Sequence, residues 1–252
     1  MELWTKTHAL SLLPALAAMI LITMLLRHFL GRKPLRVRMI PFQILSVVIV
    51  LLEIGKQALS FQRGYDLYHI PLHFCSLFIF MLPLAAFYRG RYRETVWAIT
   101  CSLCASVTGL MLIYPNLIYS AGNVQGFFTD FFDFHTVAFH NIVVFAFLLI
   151  LGLNLYAPGH KGENKAVLVF IVCYCAIAAT MAQILQTNFN NFYRCNIAPL
   201  EAVRAAVEAA MGYAPAQILY VCIVTVLDIL FVLGFFRLYC LLHKAAPAKE
   251  NT

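Results

Sequence analysis

The chain has 252 residues, of which 62% are hydrophobic and only 12% charged, with a formal net charge of +7 and a mean hydropathy of +0.82. A soluble globule carries about a quarter charged residues, so this composition excludes a water-soluble fold and turns the surface toward lipid. The positive balance does not mark a nucleic-acid binder, because that needs a soluble, aromatic-bearing basic face, and none is present.

Seven apolar runs follow in chain order, at 9–26, 39–59, 70–87, 96–114, 134–156, 167–185 and 216–238. Most approach or exceed the ~20 residues that cross ~30 Å of hydrocarbon. Unbroken runs of this length read as helices, since a helix satisfies its own backbone polar groups in lipid. The expected fold is all-α: one polytopic domain over 1–252 with seven transmembrane helices. The first run has no small-residue cleavage site after it and reads as a retained helix. No repeat or low-complexity tract marks a second domain.

The connections carry the orientation. Arg27, Arg32, Lys33, Arg36 and Arg38 crowd the first, Arg89, Arg91 and Arg93 the third, Lys161 and Lys165 the fifth. With Arg237, Lys244 and Lys249 this puts 13 of the 18 Lys and Arg on one side. Lys6, Lys56, Arg63, Arg194 and Arg204 fall on the other. Positive charge stays cytoplasmic, which predicts an outside N-terminus, a cytoplasmic C-terminus and a multi-pass protein of a cell membrane, the bacterial plasma membrane being the natural setting. The net charge then reflects topology and contact with anionic lipid.

Eight cysteines are present. Cys101-x-x-Cys104 has neither the second pair nor the soluble βαβ setting that would mark metal or redox chemistry, so both read as small apolar packing residues.

Cys75 has different company. Pro71 suits a first helical turn and would start the third span, with His69 and His73 on one face. Cys75 would then feel the positive end of the helix dipole, which favours thiolate. The second span approaches the same outer boundary with Glu53, Lys56 and Gln57, and Glu53 and Lys56 can neutralise each other at i, i+3. The fifth enters with Asp130, Asp133, His135 and His140. The two histidines are five apart, about 140° around a helix, so they do not converge on one atom. A lone His69 or His135 reads most simply as an interfacial anchor. His73, Cys75, His140 and Glu53 together, from three helices at one depth, read as a site, because ionisable groups there are costly. Asp228 stands near mid-span in the last helix, where a structural pairing is the simplest reading. Zinc donors are present in His73, Cys75 and His140, but their spacing singles out no metal; no metal or other cofactor is expected.

The segment 187–215 is too long for a simple connection. Pro199-Leu200-Glu201 and the Ala-rich stretch to Gly212 read as a short helix, with Asn196 near its cap. Ile197, Leu200, Val203, Val207 and Met211 share one side, and Glu201, Arg204 and Glu208 the other. Such a segment lies on the outer leaflet or lids the bundle.

At these residues the chain resembles the YwaF family of bacterial integral membrane proteins. Pro71-Leu72-His73-Phe74-Cys75-Ser76 is similar to that family's opening of the third helix. Glu53…Lys56, His140 and Thr187-Asn188-Phe189 follow in the same order. The extra residues after Asn188 depart from the pattern. The family is in turn similar to a eukaryotic transmembrane acyltransferase that places acyl chains on ether phospholipids through a membrane Cys and His. The resemblance implies Cys75 as the Cys and His140 as the His, with His135 as second choice.

The implied activity is a transacylase moving phospholipid acyl chains near the outer leaflet, with membrane lipids as partners. In that reading Cys75, His140, His135 and His73 are the catalytic candidates, with His73 donating to the oxyanion. Glu53 or Asp133 would orient the imidazole, and Glu53, Lys56, Asp133 and Asn188 would contact substrate. Two alternatives stand beside it. The same polar cluster suits a proton-coupled transporter or a non-catalytic lipid-binding protein.

Overall fold

The computed structural model describes residues 3–245, and all of their regular structure is helical. Lys249, used in the charge count, lies outside the described residues. Eight longer helices carry the architecture: α1 Lys6–Leu30, α2 Ile40–Gln62, α3 Phe78–Phe87, α4 Arg93–Ile113, α5 Phe131–Gly152, α6 Glu163–Leu185, α7 Ala198–Met211 and α8 Tyr213–Ala245. Six spans are long and apolar enough to cross a membrane: α1, α4, α5, α6, Leu35–Gln62 and Tyr213–His243.

The third apolar run is the exception. Its helical part is Phe74–Phe87, a 3₁₀ turn Phe74–Leu77 leading into α3. At 1.5 Å per residue that is about 21 Å, short of a full hydrocarbon crossing. The expectation that Pro71 begins this helix is corrected. A residue before proline is pushed out of the α region, and Ile70 accordingly sits at φ −58°, ψ 132°. Leu72 N–H then bonds the Ile70 carbonyl at 2.7 Å, a three-residue turn. His73 is extended as well, at φ −70°, ψ 152°. His69 closes a separate 3₁₀ turn, Leu67–His69, so His69 and His73 do not share a helical face. Irregular backbone near membrane depth is tolerated where protein covers it or where it lines a cavity, and this stretch lines one.

α4 is the hub. It packs against α3, α5, α6 and α8, while α2 packs on α3 and α5, and α1 on α5. Its residues Ala98 to Thr108 are all buried, and the small ones among them, Cys101, Ser102, Cys104, Ala105 and Ser106, let neighbouring helices approach closely. At Gly109 a Cβ would sit 2.0 Å from a Phe235 ring carbon on α8, so this crossing depends on the missing side chain. Cys101 and Cys104 are thus packing residues in the core.

The connections sort to two ends. At one, Arg38 donates to the Leu153 carbonyl at 2.7 Å, Gln43 to the Ala86 carbonyl, and His160 lies 3.6 Å from Glu94. At the other, Arg63 meets Asp130 at 3.3 Å, the His69 ring stacks on Phe132, and His8 reaches the Tyr119 carbonyl at 2.9 Å. α3 therefore runs from the second end to the first.

α7 lies at the second end and packs on α8. Its charged stripe faces the protein and its apolar stripe faces out: Leu200, Val203 and Met211 are exposed. Arg204 explains this. It holds Glu201 through two bonds, at 2.8 and 2.7 Å, Glu208 at 2.8 Å and the Gln217 side chain of α8 at 3.5 Å. A bidentate Arg–carboxylate fork is among the stronger polar contacts, and the Arg204 hydrogen bonds hold the Glu201 carboxyl below its ordinary range. The N-cap of α7 is Ile197, without a side-chain bond; Asn196 instead accepts from Asn188. Arg204→Ala is expected to loosen 189–212. A loss of about 1.5 kcal/mol of charged hydrogen bonding corresponds to roughly tenfold faster amide exchange there, with α4 unchanged. Hydrogen exchange followed by peptide mass spectrometry reads this directly, and equal rates in 189–212 would contradict the latch.

Candidate functional site

Near the second end, α2, α5, α8, the entry to α3 and the 186–196 connection enclose a cavity of about 410 Å³. Cys75 sits on its wall in the 3₁₀ turn ahead of α3, where the leading N–H groups of a helical turn have no carbonyl of their own. The Tyr174 hydroxyl of α6 donates to the Leu72 carbonyl at 3.1 Å and so pins the extended stretch that presents the thiol.

The Cys75 sulfur lies 2.9 Å from Nε2 of His140 on α5. Nδ1 of the same ring is 2.6 Å from the Thr136 carbonyl, one turn back. A carbonyl only accepts, so Nδ1 carries the hydrogen and the neutral ring has Nε2 as its acceptor. The thiol therefore donates to Nε2. The relay runs from Cys75 S–H through His140 to a backbone carbonyl, and it assigns the imidazole the tautomer that a base toward Cys75 requires.

The other candidates fall in different places. His135 lines the cavity but faces Glu53: its Nε2 stands 3.2 Å from Glu53 Oε2, off the line of a good hydrogen bond. It does not pair with Cys75, as its 140° offset from His140 on α5 requires. Glu53 does not orient His140: its Oε1 accepts from Lys56 Nζ at 2.8 Å and from Gln57 at 2.6 Å, and its Oε2 faces His135. Asp133 does not either. It accepts from Asn123 at 2.7 Å and is not among the residues lining the cavity. His73 lines the cavity, yet its Nε2 is engaged by the Tyr68 carbonyl at 3.1 Å and its ring packs on Tyr68 and Phe189. Lys56 is on the lining beside its Glu53 partner. Asn188 is there too, but its Oδ1 accepts the Tyr193 and Arg194 N–H groups, which makes it a loop former.

Three groups were not anticipated. The Thr136 carbonyl is a backbone atom, findable only as the position four before His140. Tyr174 gives no signal in an apolar run. Asn190, in a left-handed conformation at φ 47°, donates to Asp228 Oδ2 at 2.7 Å and so ties the 186–196 connection to α8. The run Asn188-Phe189-Asn190-Asn191 held a hint, since Asn tolerates that conformation better than most residues. Among the described residues no group of three or more His, Cys, Asp or Glu is placed to hold a metal.

No curated protein and no solved structure matches this chain. A family model does, the TMEM164 family, over residues 3–245. That range covers every helix described above, the cavity and both members of the Cys75–His140 pair. Helices of this length and hydropathy are what a transmembrane family requires. The chain belongs to the TMEM164 family, and it is a multi-pass helical membrane protein.

Proposed function

We propose that the protein is a phospholipid transacylase working through Cys75 and His140. The observation that carries this reading is the 2.9 Å contact between the Cys75 sulfur and His140 Nε2 on the wall of the cavity. The resemblance of 71–76 and its companions to the YwaF family, with its acyltransferase relative, points the same way.

The chemistry closes without a cofactor. The Cys75 proton passes to His140 Nε2 as sulfur attacks a phospholipid ester carbonyl. Collapse of the tetrahedral intermediate breaks the C–O bond, His140 returns the proton to the leaving alkoxide, and a lysolipid departs from an acyl-Cys75 thioester. An acceptor hydroxyl then gives its proton to His140, attacks the thioester and expels the sulfur, which recovers the proton. The oxyanion is best served by the leading N–H groups of the turn, at Phe74 and Cys75, since His73 Nε2 is occupied. Lys56, on the lining, meets the substrate's polar part, and the exposed apolar stripe of α7 rests in the leaflet beside the opening. A transport or pure binding role for the same lining, with Glu53, Lys56 and Asp228 as its charged groups, would leave Cys75 unmodified.

The reading includes seven crossings, with the short Phe74–Phe87 helix as the third, and the cavity end outside. Single-cysteine replacements at Arg91 and Gln125 test it in intact cells of the bacterial host. Gln125 is expected to react with a membrane-impermeant maleimide, and Arg91 only after permeabilisation. Labelling of the Arg91 position in intact cells would reverse the orientation.

A further inference from the structure

α8 carries a second concavity that the transfer chemistry does not use. Leu230, Phe231, Gly234, Phe235 and Leu238 form an apolar groove of about 230 Å³. Leu230 and Leu238 are exposed, so the groove opens toward lipid. Phe231 also lines the cavity, which makes the groove its continuation. α8 starts at Tyr213, beside α7 at the second end, so its later residues lead away from that end. From Phe231 to Leu238 the groove descends about 10 Å. Its wall is fixed by packing. Phe235 sits over Gly109 of α4, where a Cβ would stand 2.0 Å from its ring, and the Phe231 ring meets it edge-on at 4.8 Å.

Gly234 is the telling residue. Glycine weakens a helix interior, and in membrane helices it commonly lets a second backbone approach. Here a Cβ would meet nothing within 4 Å, so no neighbour in the fold requires the glycine. A second helix matches the groove badly too. Close helix pairs use small residues four apart, and the positions four before and four after Gly234 are Leu230 and Leu238. What fits is a narrow, flexible apolar chain entering from the cavity. We propose that the groove seats the acyl chain of the phospholipid whose ester lies at Cys75, with Gly234 keeping the path open. The proposal rests on the transfer reading for the position of the ester. An ester held near the second end, with its chain running down α8, has the direction that a tail takes from its headgroup. Lipid tails are as apolar as leucine, so seating the chain gains little from desolvation. The groove acts by shape, holding the ester in register with the thiol.

Two arms test this on the purified full chain in lipid nanodiscs. The first uses a dialkyl phospholipid, which has no ester to transfer, with a photoactivatable diazirine at the methyl end of one chain. Label is expected in 230–238, in excess over the lipid-exposed face of α1 at Leu10, Leu21 and Leu25. Gly234→Leu should remove the excess. Equal labelling of the two faces in the parent protein would overturn the proposal, and this comparison needs no variant to fold. The second arm compares transfer of palmitoyl and butyryl chains. A butyryl chain is too short to leave the cavity, so Gly234→Leu should move it within about twofold of the parent rate, while palmitoyl transfer falls ~10-fold or more through lost register. A variant that treats the two chains alike would overturn the proposal. So would a dimer in native mass spectrometry with 230–238 protected from label, which would give this face to a second copy. Excess label without transfer from any donor removes the transfer reading and leaves the groove a lipid-chain site; transfer without excess label does the reverse.

Discussion

Cys75→Ala is expected to bring acyl transfer between a labelled phospholipid and a lysolipid acceptor down to background, a fall on the order of 10⁴-fold or more. The reason is structural as much as chemical. Cys75 is the thiol within reach of His140 Nε2, at 2.9 Å, and three basic groups on the lining are engaged elsewhere: Lys56 by Glu53, His135 beside Glu53, His73 by the Tyr68 carbonyl. None of these stands on an activating base as the thiol does. The replacement removes one sulfur from a half-buried position, so the α3 entry should keep its fold, held as it is by Tyr174 and the Ile70–Leu72 turn. Lipid retention by the variant should match the parent. Transfer at the parent rate in Cys75→Ala would exclude covalent catalysis and favour the transport reading of the same cavity.

His140→Ala is expected to slow transfer by ~100-fold or more, the usual share of a general base, while leaving lipid binding largely intact. A residual rate should remain, because the thiol and the turn's N–H groups stay in place. Both half-reactions route a proton through Nε2, so acylation of Cys75 and its discharge should slow together. The comparison is made in single-turnover experiments with the labelled donor, first without and then with the acceptor. A variant within about threefold of the parent would remove His140 from the mechanism and leave its bond to Cys75 as packing alone.

The apolar runs that read as spans in the sequence rest on the most robust signal a chain can carry, because length and hydropathy are nearly all that a lipid-facing helix demands. The third run shows where that signal fails. Hydropathy continues smoothly through 70–87, but Pro71 acts on its neighbour's backbone, and the helix begins only at Phe74. That delay shapes the site, since it places Cys75 on a turn at the cavity wall. The candidate site residues stood out in the sequence as titratable groups in three neighbouring apolar runs, and the 140° offset between His135 and His140 separated their directions. What orients His140 was not legible. The carboxylates that composition offered, Glu53 and Asp133, are consumed by Lys56 and Asn123, and the group that does the work is the Thr136 carbonyl, which no side-chain pattern reveals. α7 was similar: its amphipathic pattern was plain, but which face turns inward follows from Arg204 reaching Gln217 on α8.

The most direct measurement is the intact mass of the purified protein after incubation with a phospholipid donor and no acceptor. The account predicts a species heavier by one acyl chain, mapped to Cys75 by peptide analysis, released by neutral hydroxylamine as a thioester is, and absent from Cys75→Ala. Adding a lysolipid should discharge it. An unchanged mass under conditions where labelled acyl chains do move between lipids, or an adduct that persists in Cys75→Ala, would contradict it.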